Sequence, residues 1–258
     1  MIPSDYQCDG QLNILDFINR PFEITKPIRM IELFAGYGSQ SQAMRNIGAD
    51  YVPYKCVEFD KYAVASFNAI HGTDFPTMDI KEVHGKDLEI VDRDKYCYIL
   101  FYSFPCTDIS VAGQMRGFEQ GSETRSALLW EVQRILDELK AENSLPDVCI
   151  MENVTAIHST KNKPSFDKWL NYLKDLGYST FVQDLNATDY GVAQNRDRTF
   201  AVSLLGAYTY KFPEPIELNR CIEDYFEDLT DEQALQLIVK SDKAKALLVE
   251  LDEKGTLE

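Results

Sequence analysis

The sequence predicts an α/β fold with a doubly wound, mostly parallel sheet. Short apolar runs alternate along the chain with amphipathic stretches, which is the pattern of a parallel sheet covered by helices on both faces. Several amphipathic stretches end at a glycine, the residue that most often follows a helix C-terminus. The chain has 258 residues, of which 45% are hydrophobic, so it can bury one large core.

Strands and helices can be assigned in order along the chain. The predicted strands are short and rich in β-branched or aromatic residues, and they cover 29–34, 51–58, 96–103, 148–151 and 199–205. The predicted helices carry apolar residues at three- and four-residue spacing, and they cover 40–47, 61–71, 128–139 and 166–176.

Proline and charge set the predicted domain boundaries. Residues 1–27 are expected to form an N-terminal arm, residues 28–212 the main domain, and residues 213–258 an acidic segment. This last segment contains 13 acidic and 5 basic residues, which accounts for half of the net charge of −16. A strongly acidic chain is repelled by nucleic acid phosphates, so nucleic acid binding would depend on a local basic patch.

The sequence gives no indication of a membrane span or of export. No segment approaches roughly eighteen consecutive apolar residues, the length that a membrane-spanning helix needs, and residues 1–9 lack a signal pattern. The six cysteines form no C-x-x-C pair and no metal-ligand spacing. We therefore expect a cytoplasmic protein with reduced thiols and without a metal site.

The first predicted strand runs into a Gly-x-Gly turn at Gly36 and Gly38. Such a turn lets a ligand approach the backbone closely, but on its own it is weak evidence for a site. It could open a dinucleotide site with Glu58 as the ribose-binding acid, or it could be a tight turn without a ligand. The third glycine of the dinucleotide fingerprint is missing, because Ser41 occupies its place.

Aromatic and acidic residues near this turn favour a different nucleotide ligand. Phe34 precedes the turn and Phe59 follows Glu58, as two rings enclosing an adenine would. Glu58 could accept hydrogen bonds from ribose hydroxyls, and Asp79, just before Ile80, could accept one from an adenine amino group. Either acid taken alone is more simply interpreted as a solvated loop residue.

The tripeptide Phe104-Pro105-Cys106 directly follows the predicted strand 96–103. Open α/β sheets place their chemistry at the carboxyl ends of the strands, and a thiolate there can act as a nucleophile. In isolation, Cys106 would be interpreted as a small buried apolar residue, as most free cysteines are.

Five segments, taken in order, resemble the cytosine-C5 DNA methyltransferases of bacterial and phage restriction-modification systems. They are Phe34-Ala35-Gly36-Tyr37-Gly38, Glu58-Phe59-Asp60, Pro105-Cys106, Glu152-Asn153-Val154 and Gln194-Asn195-Arg196-Asp197-Arg198. Each segment is modest evidence alone, but the set in this order and spacing is specific, and the resemblance covers residues 28–205. It implies a Rossmann-like domain that uses S-adenosylmethionine, with double-stranded DNA as partner and a cytosine flipped into the site.

The resemblance also implies a role for each matching residue. Cys106 would add to C6 of the cytosine, and Glu152 would bind N3. Arg198 would hold the base oxygen and brace Glu152, and Arg196 would hold the pocket or the nucleic acid backbone. The implied cofactor-binding residues are Phe34, Ala35, Gly36, Gly38, Glu58, Phe59, Asp79, Ile80 and Pro105. The implied substrate-binding residues are Phe104, Ser110, Asn153 and Gln194, and residues 110–124 resemble the mobile loop that closes over the base.

The chain departs from the family pattern after the last predicted strand. Family members normally continue into a target recognition domain and finish with a helix opened by a Gly-Asn pair, and the chain contains no Gly-Asn pair. Three explanations remain open: a truncated chain, one half of a split enzyme whose partner supplies target recognition, or a compact protein with degraded activity. We expect the chain alone to bind S-adenosylmethionine weakly and to methylate little DNA.

The motif set argues against two other enzyme classes and leaves two alternatives open. An amino-group methyltransferase would need an Asn/Asp-Pro-Pro-aromatic motif, which Ser103-Phe104-Pro105-Cys106 is not. A nicotinamide oxidoreductase would use the glycine turn but would leave Glu152 and the two arginines unexplained. A tRNA cytosine-C5 methyltransferase would use the same chemistry, and a non-catalytic binding subunit could keep the whole motif set, so both alternatives stay open.

Overall fold

The computed structural model describes residues 20–109, 117–238 and 240–254. Within these residues six strands form one sheet: Ile28–Leu33 (β1), Tyr51–Val57 (β2), Cys97–Tyr102 (β3), Val148–Asn153 (β4), Tyr178–Asn186 (β5) and Asp197–Leu205 (β6). The α-helices of the same ranges are Ser39–Asn46 (α1), Lys61–His71 (α2), Leu129–Ala141 (α3), Lys163–Asp175 (α4), Asp231–Leu237 (α5) and Asp242–Glu253 (α6). In this described part of the chain, no helix is long and apolar enough to cross a membrane.

The sheet is parallel over four of its six strands. Its order is β2-β1-β3-β4-β6-β5, and β6 runs antiparallel to both of its neighbours. The predicted α/β fold with a mostly parallel sheet is therefore confirmed. Because parallel strands end at the same edge, the segments that follow β1, β3 and β4 meet there, and the antiparallel β6 begins there.

Strand β5 is absent from the sequence-based assignment, and β6 begins two residues earlier than predicted. β5 lies at the edge of the sheet with most of its residues half-buried or exposed, so its sequence contains no apolar run. Its register pairs Leu185 with Arg198 and Asn186 with Asp197. This pairing extends β6 to Asp197, so that Arg198 lies in a strand and not in the loop before it.

Helices α3 and α4 pack against the core that covers one face of the sheet. The predicted apolar face of α3 is buried at Leu129, Val132, Ile135, Leu136 and Leu139. From α4, the fully buried Trp169 donates its indole N–H to the hydroxyl of Tyr102 over 3.1 Å. Leu128, which the sequence assigned to the α3 face, ends a 3₁₀ turn at Arg125–Leu128 and is half-buried.

The described residues after Pro213 contribute little to this core. Most of the predicted N-terminal arm, residues 1–19, lies outside the described residues. After Pro213 almost every described residue is exposed, and α5 and α6 contain no buried residue. This segment is attached through Ile216, which forms an isolated parallel bridge with Tyr190 and donates its N–H to the Asp189 carbonyl over 2.8 Å.

Candidate active site

The carboxyl edge of the sheet brings together the segments that the sequence analysis singled out. Cys106 lies four residues beyond the last residue of β3, and Glu152 is the penultimate residue of β4. Arg196 and Arg198 reach the same edge because β6 runs antiparallel to β4, with Glu152 paired to Phe200. The strand directions therefore explain how residues from three distant parts of the sequence converge.

A cavity of about 160 Å³ at this edge is lined by all four predicted catalytic residues. They are Cys106, Glu152, Arg196 and Arg198. Phe104, Pro105 and Asn153, which were predicted to bind cofactor or substrate, line the same cavity. A thiol, a carboxyl group and two guanidinium groups thus line one cavity that is open to solvent on one side.

Glu152 lies next to two arginines, Arg196 just before β6 and Arg198 within it. Arg198 Nε lies 2.9 Å from Glu152 Oε1, and Arg196 Nη2 lies 4.0 Å from the same oxygen. The Glu152 side chain is 26% exposed and that of Arg198 is 21% exposed, so the closer pair is partly shielded from water. The ion pair places the Arg198 guanidinium group next to the Glu152 carboxyl group at the cavity, and the bracing role of Arg198 stays a prediction.

Cys106 is distinguished from the other described cysteines by its surroundings. Burial raises the pKa of Cys56, Cys97 and Cys149 to about 12, so these three remain neutral thiols at physiological pH. Cys221 is exposed on the acidic segment. Cys106 is half-buried and lines the cavity, and it is therefore the described cysteine that is placed to attack a ligand there.

Asn153 is a buried residue at the wall of this cavity. Its side chain is buried, its Nδ2 donates to the Phe104 carbonyl over 3.0 Å, and its Oδ1 accepts from the N–H of Val154 over 2.8 Å. Both polar groups thus bind backbone, which ties the end of β4 to the segment that follows β3. The carbonyl of Phe104, a predicted substrate-binding residue, accepts this hydrogen bond and has a second lone pair available for a ligand.

A second cavity, of about 230 Å³, lies on the other side of Pro105. Six predicted cofactor-binding residues line it: Phe34, Glu58, Phe59, Asp79, Ile80 and Pro105. Four further residues line this cavity and were not predicted from the sequence: Val57, Met78, Lys81 and Leu128. Three of these adjoin predicted residues in sequence, whereas Leu128 is brought in from the start of α3 and could not have been assigned by proximity.

The glycine turn has the conformation that only glycine tolerates well. Gly36 and Gly38 have φ values of +56° and +83°. A Cβ on Gly38 would lie 2.3 Å from His71 Nε2 and 2.7 Å from a Phe67 ring carbon, whereas a Cβ on Gly36 would meet nothing within 4 Å. Gly38 is thus required by packing, and Gly36 leaves open space next to the turn. Ala35 is buried below it and packs with Phe67.

Glu58 connects this turn to the second cavity. Its Oε2 accepts from the N–H of Gly36 over 3.0 Å, and its Oε1 accepts from the N–H of Asp60 over 2.9 Å. Each carboxylate oxygen has further acceptor capacity, so Glu58 can still accept bonds from ligand hydroxyls. Phe59, which follows, is 75% exposed at the rim of the cavity.

The remaining predicted substrate contacts lie elsewhere. Gln194 lines an adjoining cavity of about 320 Å³, which shares Val154, Arg196 and Arg198 with the cavity at Cys106. Ser110 and the first part of the predicted mobile loop, residues 110–116, lie outside the described residues. The roles of Gln194 and Ser110 therefore stay predictions.

Comparison with known proteins identifies the family. A family model described as C-5 cytosine-specific DNA methylase matches residues 28–254. The chain belongs to the C-5 cytosine-specific DNA methylase family. The orphan methyltransferase M.SssI of Spiroplasma monobiae is 30% identical to this methylase over 236 residues, which cover 71% of this chain and 61% of that protein.

Further relatives agree with this assignment. The type II methyltransferase M.HhaI of Haemophilus parahaemolyticus is 34% identical over 215 residues, which cover 82% of this methylase and 60% of the relative. The structure of the Entamoeba histolytica methyltransferase EhMeth has the same fold, with a TM-score of 0.65 at 18% identity, covering 80% of this chain and 62% of that one. This methylase thus spans about three fifths of the length of these relatives.

The family and the methyltransferase fold imply the use of S-adenosylmethionine in general. The residues of the second cavity fit such a group. Phe34 and Ile80 give apolar walls, Glu58 gives a carboxylate acceptor next to the glycine turn, and the open space at Gly36 allows close approach to the backbone. An adenosine moiety combines an apolar ring with hydroxyl donors, which is the chemistry that this lining complements.

Proposed function

We propose that this methylase transfers a methyl group from S-adenosylmethionine to carbon 5 of cytosine in double-stranded DNA. The observation that carries the proposal is the shared wall of the two cavities. Cys106 and Glu152 line one cavity, Phe34 and Glu58 line the other, and Pro105 lines both. A reaction between two bound molecules needs such adjacency, because holding the reactants next to each other lowers the barrier.

Carbon 5 of cytosine is a poor nucleophile, and Cys106 overcomes this in the proposed mechanism. The Cys106 thiolate forms a bond to C6, and the electron pair of the C5–C6 double bond is released towards C5. Glu152 assists by donating a proton or hydrogen bond to N3 on the opposite edge of the ring. Arg198 holds the Glu152 carboxyl group in the orientation that this requires.

The methyl donor binds in the second cavity. S-adenosylmethionine, when bound, supplies an electrophilic methyl group on a positively charged sulfur. Phe34, Phe59 and Ile80, which line this cavity, would pack against the adenine. Glu58 would accept from the ribose hydroxyls, and Asp79 would accept from the adenine amino group. C5 would form its bond to the methyl carbon as the methyl–sulfur bond breaks, which would leave a neutral thioether. The C5 proton would then pass to solvent water, the C5–C6 double bond would form again as Cys106 leaves as a thiolate, and Glu152 would recover its proton from N3.

A cytosine within a duplex cannot reach this site without leaving the base stack. The adjoining cavity at Gln194 and Arg196 supports this step, because it opens next to the Cys106 cavity and carries polar and basic groups that can bind the flipped nucleotide and its phosphate. We propose contacts from Gln194 and Ser110 there. The cytoplasmic location expected from the sequence agrees with access to DNA and stays a prediction.

We further propose that a second polypeptide carries target recognition. The acidic segment from residue 213 would bind this second polypeptide. Large apolar side chains of the segment face water, including Ile222, Phe226 and Leu237. Its excess of acidic residues favours a partner with basic groups, and such a partner would also bring positive charge to the DNA.

The test is a covalent trap. Long double-stranded DNA of mixed sequence that contains 5-fluorocytosine is incubated with the native chain and S-adenosylmethionine. Fluorine at C5 cannot leave as a proton does, so the sulfur bond to C6 persists. We expect a denaturation-resistant adduct that peptide mapping assigns to Cys106. Cys106→Ser should abolish it, and Cys221→Ser should leave it unchanged because Cys221 is exposed on the acidic segment and lines neither cavity.

Transfer RNA that contains 5-fluorocytosine is the parallel arm. An adduct on tRNA alone would contradict DNA as the substrate and support the tRNA alternative. Because the adduct is irreversible and accumulates, it detects even the slow reaction expected of this chain alone. Its absence on both nucleic acids after long incubation would contradict catalysis by this chain and support a non-catalytic role.

A further inference from the structure

Ser126 contacts the backbone on both sides of Cys106. Its hydroxyl donates to the Pro105 carbonyl over 2.6 Å and accepts from the N–H of Asp108 over 3.2 Å. Ser126 is fully buried and lies at the beginning of the 3₁₀ turn that leads into α3. One hydroxyl group therefore bridges two points of the segment that carries the nucleophile.

Every peptide plane between Phe104 and Asp108 is fixed by a hydrogen bond. The Phe104 carbonyl binds Asn153, and the Cys106 carbonyl accepts from the N–H of Ile109 over 3.0 Å. The other two peptide planes contain the Pro105 carbonyl and the Asp108 N–H, and both are held by the Ser126 hydroxyl. Because peptide groups are planar, fixing each one leaves the Cys106 side chain few directions in which to point.

Asp108 reinforces the same bridge. Its carboxyl group is buried and accepts from the N–H groups of Arg125 over 2.9 Å and of Ser126 over 3.4 Å. These are the first N–H groups of the turn before α3, where a negative charge is favourable. The carboxyl group thus holds the beginning of the helix against the Cys106 segment.

We propose that Ser126, supported by Asp108, is a positioning residue that orients the Cys106 sulfur towards the bound pyrimidine. This inference rests on the proposed function, since it assigns a direction to the attack by Cys106. Ser126 is also connected to the second cavity. Pro105, whose carbonyl accepts from the Ser126 hydroxyl, lines that cavity, and so does Leu128, two residues after Ser126. One hydrogen bond therefore sets both the nucleophile and a wall of the cofactor site.

The test compares two rates in Ser126→Ala. The first is alkylation of Cys106 by iodoacetamide, followed at each cysteine by mass spectrometry, and the second is trapping on 5-fluorocytosine DNA. Without the bridge the segment loosens, so alkylation of Cys106 should rise by about threefold or more. Trapping should fall by about ten- to a hundredfold, because the sulfur no longer points at the ring. A merely structural role would not move the two rates in opposite directions.

Ser144→Ala is the matched control. Ser144 is also buried, and its hydroxyl binds the Leu139 carbonyl at the other end of α3, away from both cavities. It should leave both rates unchanged. Cys56, Cys97 and Cys149 are internal controls for unfolding, since all three are buried. If Ser126→Ala speeds alkylation at these three as much as at Cys106, the effect is general loosening and the proposal is overturned.

Asp108→Asn provides a second variant with the same expected directions and smaller effects, because it keeps one acceptor oxygen and loses the charge. An unchanged Cys106 alkylation rate in both variants overturns the inference. If alkylation rises but the native chain forms no adduct with DNA, the positioning of Cys106 stands and the proposed function fails.

Discussion

Arg198 Nε lies 2.9 Å from Oε1 of Glu152 in an ion pair that joins two antiparallel strands. Nη1 of the same guanidinium group donates to the Asp197 carbonyl over 2.7 Å, and this hydrogen bond holds the planar group beside Glu152. Arg196 lies at 4.0 Å from the same oxygen and is the more exposed of the two. The orientation of the proposed acid therefore depends on Arg198 more than on Arg196.

Arg198→Lys should slow trapping on 5-fluorocytosine DNA by about tenfold or more, because lysine keeps the charge but not the planar donor group. Arg196→Lys should have a smaller effect, since its contact with Glu152 is long. The initial rates of adduct formation at saturating DNA measure both. Equal losses in the two variants would contradict the assignment of the bracing role to Arg198.

Gly38→Ala should destabilise the fold more than Gly48→Ala. Both positions have positive φ, for which alanine is penalised by about 1–2 kcal/mol. At Gly38 the added methyl group would also overlap His71 and Phe67, whereas at Gly48 it meets nothing within 4 Å. Urea unfolding of the two variants measures the difference, and a similar loss of unfolding free energy in both would show that the turn can relax around the methyl group.

Glu32→Gln should change the dependence of stability on pH. Burial raises the pKa of Glu32 from 4.5 to about 7, while a hydrogen bond from the Ser41 hydroxyl to Oε1 acts in the opposite direction. The native state therefore binds more protons than the unfolded state between these values, and its stability falls as the pH rises through this window. Glutamine remains neutral and keeps an acceptor for Ser41.

The expected result is a variant that resembles the native chain near pH 5 and is more stable at pH 8, by about 2–3 kcal/mol. Urea unfolding at the two pH values measures this. Glu142→Gln, on the exposed end of α3, is the control and should show no such dependence. A constant difference between Glu32→Gln and the native chain at both pH values would contradict a buried, protonated Glu32.

Phe226→Ala should leave the unfolding free energy within about 0.5 kcal/mol of the native value, because its ring faces water. Phe166→Ala is the counterpart in the core and should reduce the unfolding free energy by about 3–5 kcal/mol. A large destabilisation by Phe226→Ala would mean that the acidic segment packs against the body of the protein, and it would remove the surface proposed for a second polypeptide.

The parts of the site that could be predicted from sequence follow the ends of parallel strands. Phe34, Cys106 and Glu152 each lie at or just beyond an apolar run, and parallel strands bring their carboxyl ends to one edge. The same reasoning placed Glu58 at the second cavity. Local patterns were sufficient there because strand direction alone determines which residues meet.

The parts that could not be predicted depend on contacts without a local pattern. β5 has no apolar run because it lies at the sheet edge, and without β5 the early start of β6 at Asp197 could not be recognised. The Ser126 bridge joins residues that are separated by a long loop, and serine carries no periodic signal. Leu128 fitted the apolar spacing of α3, yet it lines the cofactor cavity.

The bridge between Tyr190 and Ile216 has a consequence for how a DNA sequence would be chosen. β6 carries the chain away from the carboxyl edge, and the bridge returns it to the segment that directly precedes Gln194 and Arg196. A protein bound to residues beyond Ile216 would therefore lie close to the cavity at Gln194 and Arg196, where the extruded base is proposed to enter. Discrimination between DNA sequences and the chemistry on cytosine would then lie only a few residues apart along this chain, even with recognition carried by the proposed second polypeptide.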